Sequence, residues 1–131
     1  MLDVILKVWN DPEIVLNGAA NAEQVATVES QLGFTFPASL KSFWFAADGF
    51  KDDQLAQNLI QLWSLDRVLY EYQNRTDKEF IGFADFLLNI TAYGFFRNEN
   101  GIFKDGDPNL PLCQSFEEWI RMVDRDAAEL Y

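Results

Sequence analysis

A chain of 131 residues, 49% of them hydrophobic, has the length of one domain and enough apolar material for one core. Its twelve Phe and four Trp argue against a disordered chain, so the net charge of -11, from 10 Lys plus Arg against 21 Asp plus Glu, sits on a folded body. That charge repels phosphate backbones and anionic lipid heads, which argues against nucleic acid and membrane partners; a basic protein is the natural complement, although composition alone favours a solvated acidic surface that aids solubility.

The first expected element is a short helix, since Leu2, Ile5, Leu6 and Trp9 fall at i, i+3, i+4 and i+7, with Asp11-Pro12 ending it. Asp3 and Lys7 interrupt its apolar run and no basic start precedes it, so it does not read as a secretory signal. After the Asn17-Gly18 turn signal, Asn21 and Gln24 have capping-box spacing for a helix that buries Val25, Val28 and Leu32. Gly33 suits the left-handed position past its end. Pro37 opens the next helix, whose Leu40, Phe43, Trp44 and Ala47 share one face before Asp48-Gly49.

Lys51 to Gln57 is a polar loop, Leu59 to Trp63 a strand, and Ser64 the cap of a helix with Leu65, Val68, Leu69 and Tyr72 on one face. From Phe80 to Phe103, dense aromatic and aliphatic residues broken by Gly and Asn predict strands. The alternate apolar positions there run Ile81, Phe83, then Phe86, Leu88, Ile90, then Tyr93, Phe95. Parity flips twice, and each flip implies a bend, bulge or turn. Asn100-Gly101 has hairpin chemistry, Lys104 to Pro108 is another turn, and Ser115 with Glu118 caps a last helix containing Trp119, Met122 and Val123. One α+β domain over residues 1–131 follows, with an antiparallel sheet packed against N-terminal helices and a C-terminal helix.

The sequence contains no histidine, which removes the commonest general base and zinc ligand. The single Cys113 precludes an intrachain disulfide, fits a reducing compartment such as the cytoplasm, and reads as a buried thiol. Asp52-Asp53, Asp105-Gly106-Asp107 and Glu117-Glu118 are carboxylate pairs, but none has calcium-loop spacing, and turn and helix-surface roles account for them. No glycine-rich phosphate loop occurs. Neither a metal nor another cofactor is expected. For any single ring core packing is the first reading, yet Phe50, close to Asp52 and Asp53, also has the look of a binding anchor.

Five motifs in order resemble the SUKH superfamily, the Smi/Knr-type domain: Glu29 with Leu32-Gly33, Phe36-Pro37 with Phe43 and Asp48-Gly49, Leu62-Trp63-Ser64-Leu65, Phe83-Ala84-Asp85-Phe86-Leu87, and Ser115-Phe116-Glu117-Glu118-Trp119. The family's closing Asn-Gly is Asp48-Gly49 here, and its Gly-rich turn is replaced by Gly82-Phe83-Ala84-Asp85, which leaves the subfamily open. The resemblance implies a domain without catalysis, commonly a bacterial immunity protein that neutralises a cognate toxin, often a nuclease. Net acidity agrees, because nucleases present basic surfaces to their substrate. On this reading Asp48, Phe50, Asp52, Asp53, Glu99, Asp105 and Asp107, all in predicted loops, are the expected partner contacts. A regulatory scaffold of the Smi/Knr type and, further off, a carboxylate-based enzyme are the alternatives.

Overall fold

The computed structural model describes residues 16–51 and 59–131. The helix expected over Leu2 to Trp9, and the loop residues Asp52 and Asp53, lie outside the described residues. Helices α1 (Ala22–Leu32) and α2 (Ala38–Ala46) are followed by β1 (Ile60–Leu62), α3 (Leu65–Gln73), β2 (Phe80–Phe86), β3 (Thr91–Phe96), β4 (Phe103–Lys104) and α4 (Phe116–Asp124). A 3-10 turn, Ala128–Leu130, closes the order. The strands form one antiparallel sheet in the order β1-β2-β3-β4, giving the α+β arrangement expected from the sequence.

Local chemistry sets the helix ends. The Asn21 side chain accepts from the Gln24 backbone N–H, and the Gln24 side chain accepts from Asn21 N–H, both at 2.8 Å, so two orphan donors of α1 are satisfied reciprocally. Gly33 ends α1 at φ 64°, a conformation that costs glycine little. Glu29 then reaches forward, its Oε2 accepting from Phe36 N–H at 2.7 Å with Lys41 at 3.6 Å. The acidic residue of the first motif is therefore the clasp of the α1–α2 link. Ser64 caps α3 and Ser115 caps α4, each accepting from the N–H three residues on. Glu118 departs from the expected reciprocal box, since its carboxylate accepts from Gln114 N–H at 3.1 Å.

Both parity flips have physical counterparts. The first is a β-bulge, where pairing shifts between Gly82 and Ala84. Phe83 packs on Phe116 and Trp119 of α4 (centroids 5.6 and 4.9 Å), while Asp85, two residues on, meets Arg67 of α3. Without the extra residue, strict alternation would send both side chains to one face. The second flip is the turn Leu87 to Ile90, where Leu87, Leu88 and Asn89 have φ of 48°, 52° and 70°. Leu88 and Ile90 are consequently not strand residues on a buried face, and they stand 60% and 67% exposed. In the loop after β3, Asn98 and Gly101 take positive φ, whereas the expected pair was Asn100-Gly101.

The core fills both sides of the sheet. Phe36, Trp44, Phe83, Phe95, Phe116 and Trp119 are buried in one aromatic cluster. On the other face Gly82 and Gly94 are register partners, and a Cβ on Gly82 would lie 2.8 Å from the Trp63 ring. Lack of a side chain there lets the indole lie on the sheet. The Tyr93 hydroxyl donates to Leu130 O at 2.8 Å and Tyr131 packs on the Phe86 ring, docking the C-terminal turn.

Candidate partner-binding site

An open depression of about 1160 Å³ lies beside α3. Its wall runs from Asn17–Gly18 through Asp48 and Lys51 to Gln61 and Ser64, along Asp66, Arg67, Tyr70 and Glu71 of α3, and ends on Leu88 and Asn89 of the β2–β3 turn. Spacings of three and four residues put Arg67, Tyr70 and Glu71 on one helix face, as the helical repeat requires. The Asn17 side chain holds the opposite wall, its Nδ2 donating to Asp48 O (2.8 Å) and Phe50 O (3.2 Å).

A polar network centred on the buried Asp85 and Gln61 underlies the wall. Arg67 Nη2 meets Asp85 Oδ2 at 3.0 Å and Nη1 donates to Gln61 Oε1 at 2.7 Å. Nε lies 3.5 Å from Glu71 Oε1, and the guanidinium stacks 4.8 Å from the Trp63 ring centre. Asp85 and Gln61 are 0% and 1% exposed, so the pair is shielded from water. Asn89 closes the network: its N–H donates to Asp85 Oδ2 at 2.8 Å, and its carboxamide is satisfied when its nitrogen faces Asp85 (3.1 Å) and its oxygen faces Arg67 (3.3 Å). Burial raises the Asp85 pKa above the ordinary carboxylate value, with Arg67, Asn89 and Trp63 pulling it down in part. The network couples α3, β1, β2 and the turn, so the wall is braced before any partner arrives.

Asp48 is half-buried on this wall, and its Oδ1 accepts from Leu65 N–H at 2.8 Å. Burial raises its pKa, the Leu65 bond lowers it, and Asp66 raises it. Gly49 beside it takes φ 73°, and a Cβ there would come within 2.4 Å of the Trp63 carbonyl carbon. The Asp48-Gly49 motif is thus the joint between the α2 exit and the α3 start. The Trp44 indole strengthens it by donating to Trp63 O at 3.0 Å.

The remaining expected contacts separate. Phe50 is 1% exposed and belongs to the core, pinned by its N–H to Leu62 O at 2.9 Å and by a bridge to Leu16. As an exposed binding anchor it is corrected: pairing on both sides of the chain turns the ring inward. Asp105 is engaged by both Nη atoms of Arg75 at 2.9 and 2.7 Å, and Asp107 is exposed in the turn that follows. Glu99 borders a separate depression of about 650 Å³ with Phe34, Phe36, Phe95 and Phe116. Of the seven expected residues, Asp48 alone among those described lines the main depression.

Asp66, Arg67, Glu71 and Asn89 were not singled out in the sequence, Tyr70 entered only as one of a pair of rings that could not both be buried, and Leu88 only as a strand position. The signal was there in part, in the polar stripe of α3 and in Asp85, a lone carboxylate within Phe80-Ile81-Gly82-Phe83-Ala84-Asp85-Phe86. Cys113 sits elsewhere, and burial pushes its thiol up to about 12, as an inert thiol requires. Among the described residues no group of three or more Asp, Glu or Cys could hold a metal ion, and no helix is long and apolar enough to cross a membrane.

No curated protein matches the chain. A family model does: that of the SMI1 / KNR4 family (SUKH-1) covers residues 19–122, from ahead of α1 into α4. That span takes in all five motifs, the Glu29 clasp and the Asp48-Gly49 joint included, and the chain belongs to the SMI1 / KNR4 family (SUKH-1).

Proposed function

We propose that this protein is a non-catalytic binding module, an immunity protein that neutralises a cognate bacterial toxin in the cytoplasm by direct contact, the toxin being a basic domain such as a nuclease. Membership of the family fits a non-catalytic immunity or Smi/Knr-type role. The observation that carries the finer reading is the braced, open depression on a body of net charge -11. Asp48, Asp66 and Glu71 line it against Lys51 and Arg67, and the Arg67 charge is already matched by Asp85. With Asp85 counted, four carboxylates face two cations there, so a basic surface entering it meets net negative charge without reorganising the wall, which favours both encounter rate and complex lifetime.

The test is co-expression with a toxic protein encoded beside this one. Wild type is expected to restore growth, and Asp66→Asn with Glu71→Gln to restore it less, with affinity lowered about tenfold or more. No rescue by the wild type would overturn the toxin reading and favour a regulatory scaffold.

A further inference from the structure

We infer that the β2–β3 turn is a preformed apolar anchor, and that Leu88, flanked by the acids of α3, and the exposed Ile90 beyond it seat on an apolar cluster ringed by Lys and Arg on a basic protein partner. This rests on the protein-binding reading above and names the part of the partner that the site takes.

Leu88 and Ile90 are among the most exposed large apolar residues described, at 60% and 67%. Mobility does not explain their exposure. Leu87 N–H donates to Leu59 O at 2.9 Å, Asn89 N–H to the buried Asp85 at 2.8 Å, and Ile90 N–H to Phe86 O at 3.1 Å. Three successive non-glycine residues, Leu87 to Asn89, hold positive φ, and for the two leucines that conformation is unfavourable. Asparagine would sit there more easily than leucine. A strained backbone that delivers a leucine to solvent, fixed from beneath by a buried carboxylate, has the properties of a preorganised anchor.

Charge decides the occupant. Leu88 shares the depression with Asp66, Glu71 and the 62% exposed Tyr70. A second copy would bring another chain of net charge -11 against those carboxylates, and an anionic bilayer would be repelled in the same way. A cationic surface with an apolar centre matches both the turn and its flanks.

The experiment titrates methyl-labelled protein with an amphipathic Lys/Leu helical peptide, using the same peptide with Glu in place of Lys as control. Saturable shifts at the Leu88 and Ile90 methyls with the Lys peptide only are expected. Leu88→Asn should weaken binding about tenfold while leaving the unfolding midpoint unchanged or higher. Shifts confined to the exposed Leu110, equal response to the Glu peptide, no response, or shifts that follow protein concentration alone would each overturn the anchor. The two readings fail separately. Toxin rescue unimpaired by Leu88→Asn with Ile90→Asn removes the anchor, whereas peptide binding without rescue by the wild type removes the toxin.

Discussion

Gly49→Ala is expected to be among the most damaging single-methyl additions to this fold, lowering unfolding free energy by about 3–5 kcal/mol. Two effects add. The residue sits at φ 73°, and the new Cβ would lie 2.4 Å from Trp63 C, 2.5 Å from Ser64 N and 2.5 Å from Trp63 O. All three are main-chain atoms, so no side-chain rotation relieves the overlap. The chain that must move carries the Trp44–Trp63 bond and the Asp48 cap of α3, and with them one wall of the depression. Gly106→Ala separates the two effects, because Gly106 also has positive φ (87°) but nothing within 4 Å of a Cβ. It should cost only the conformational part, about 1–2 kcal/mol. Urea unfolding of both variants is the check; equal losses would mean that close packing at the Asp48-Gly49 joint contributes little.

Removing Arg67 is expected to cost more than neutralising its partner, although they form one ion pair. Asp85 is 0% exposed whereas the Arg67 side chain keeps 19% exposure. Asp85→Asn leaves a guanidinium that still reaches Gln61 and Glu71, while Arg67→Met leaves a carboxylate buried without its counter-ion, a loss of about 3 kcal/mol at neutral pH. The sign with pH follows from the direction of the shift. The folded Asp85 pKa lies above its unfolded value, so its contribution is fully present below the ordinary carboxylate pKa and is lost as pH rises through the folded pKa. Arg67 holds that folded value down, so Arg67→Met widens the window toward neutrality. Its stability deficit should shrink on acidification from pH 8 to 5, whereas the Asp85→Asn deficit should grow as pH falls through the folded Asp85 pKa, because only the wild type gains from that protonation. A pH-independent deficit for Arg67→Met, measured by urea midpoints, would contradict the buried pair.

What could be read from the sequence divides by range of interaction. Asn21 with Gln24, Gly33, Ser64 and Ser115 act within three or four residues of themselves, and all four cap, Ser115 without the return bond from Glu118 that the spacing implied. The bulge at Phe83 was visible as a parity flip, because alternation is itself a local property. Leu88 and Ile90 matched a strand pattern equally well, since alternation cannot tell a buried face from an exposed turn whose backbone is left-handed. The site was harder still. Arg67 and Asp85 lie 18 residues apart and Asn17 and Asp48 lie 31 apart, so their meeting depends on sheet register and helix placement. Phe50 shows the converse: beside two carboxylates it looked like a surface anchor, but pairing with Leu16 and Leu62 buried it.

The family motifs gain a physical meaning from the same geometry. Glu29 closes the α1–α2 link, Gly33 ends α1, Gly49 permits close approach to Trp63, and Ser64 caps the helix that supplies the depression's polar wall. Arg97 belongs with them: it donates to Leu32 O, to Gly33 O at 3.0 Å and to the Tyr72 hydroxyl at 2.7 Å, tying the end of α1 to α3. These residues build the platform. The surface proposed above to meet a partner is lined by Asp66, Tyr70, Glu71 and Leu88, which the motifs do not contain.

The most direct measurement is calorimetric titration of the purified protein with the basic toxin domain proposed as its partner, at low and high salt, for the wild type and for Asp66→Asn with Glu71→Gln. A one-to-one complex that weakens steeply with salt, and a variant that binds less tightly and loses most of that salt dependence, is the expected result. A wild-type complex insensitive to salt and unchanged by the two substitutions, or no complex at all, would contradict recognition through the acidic depression.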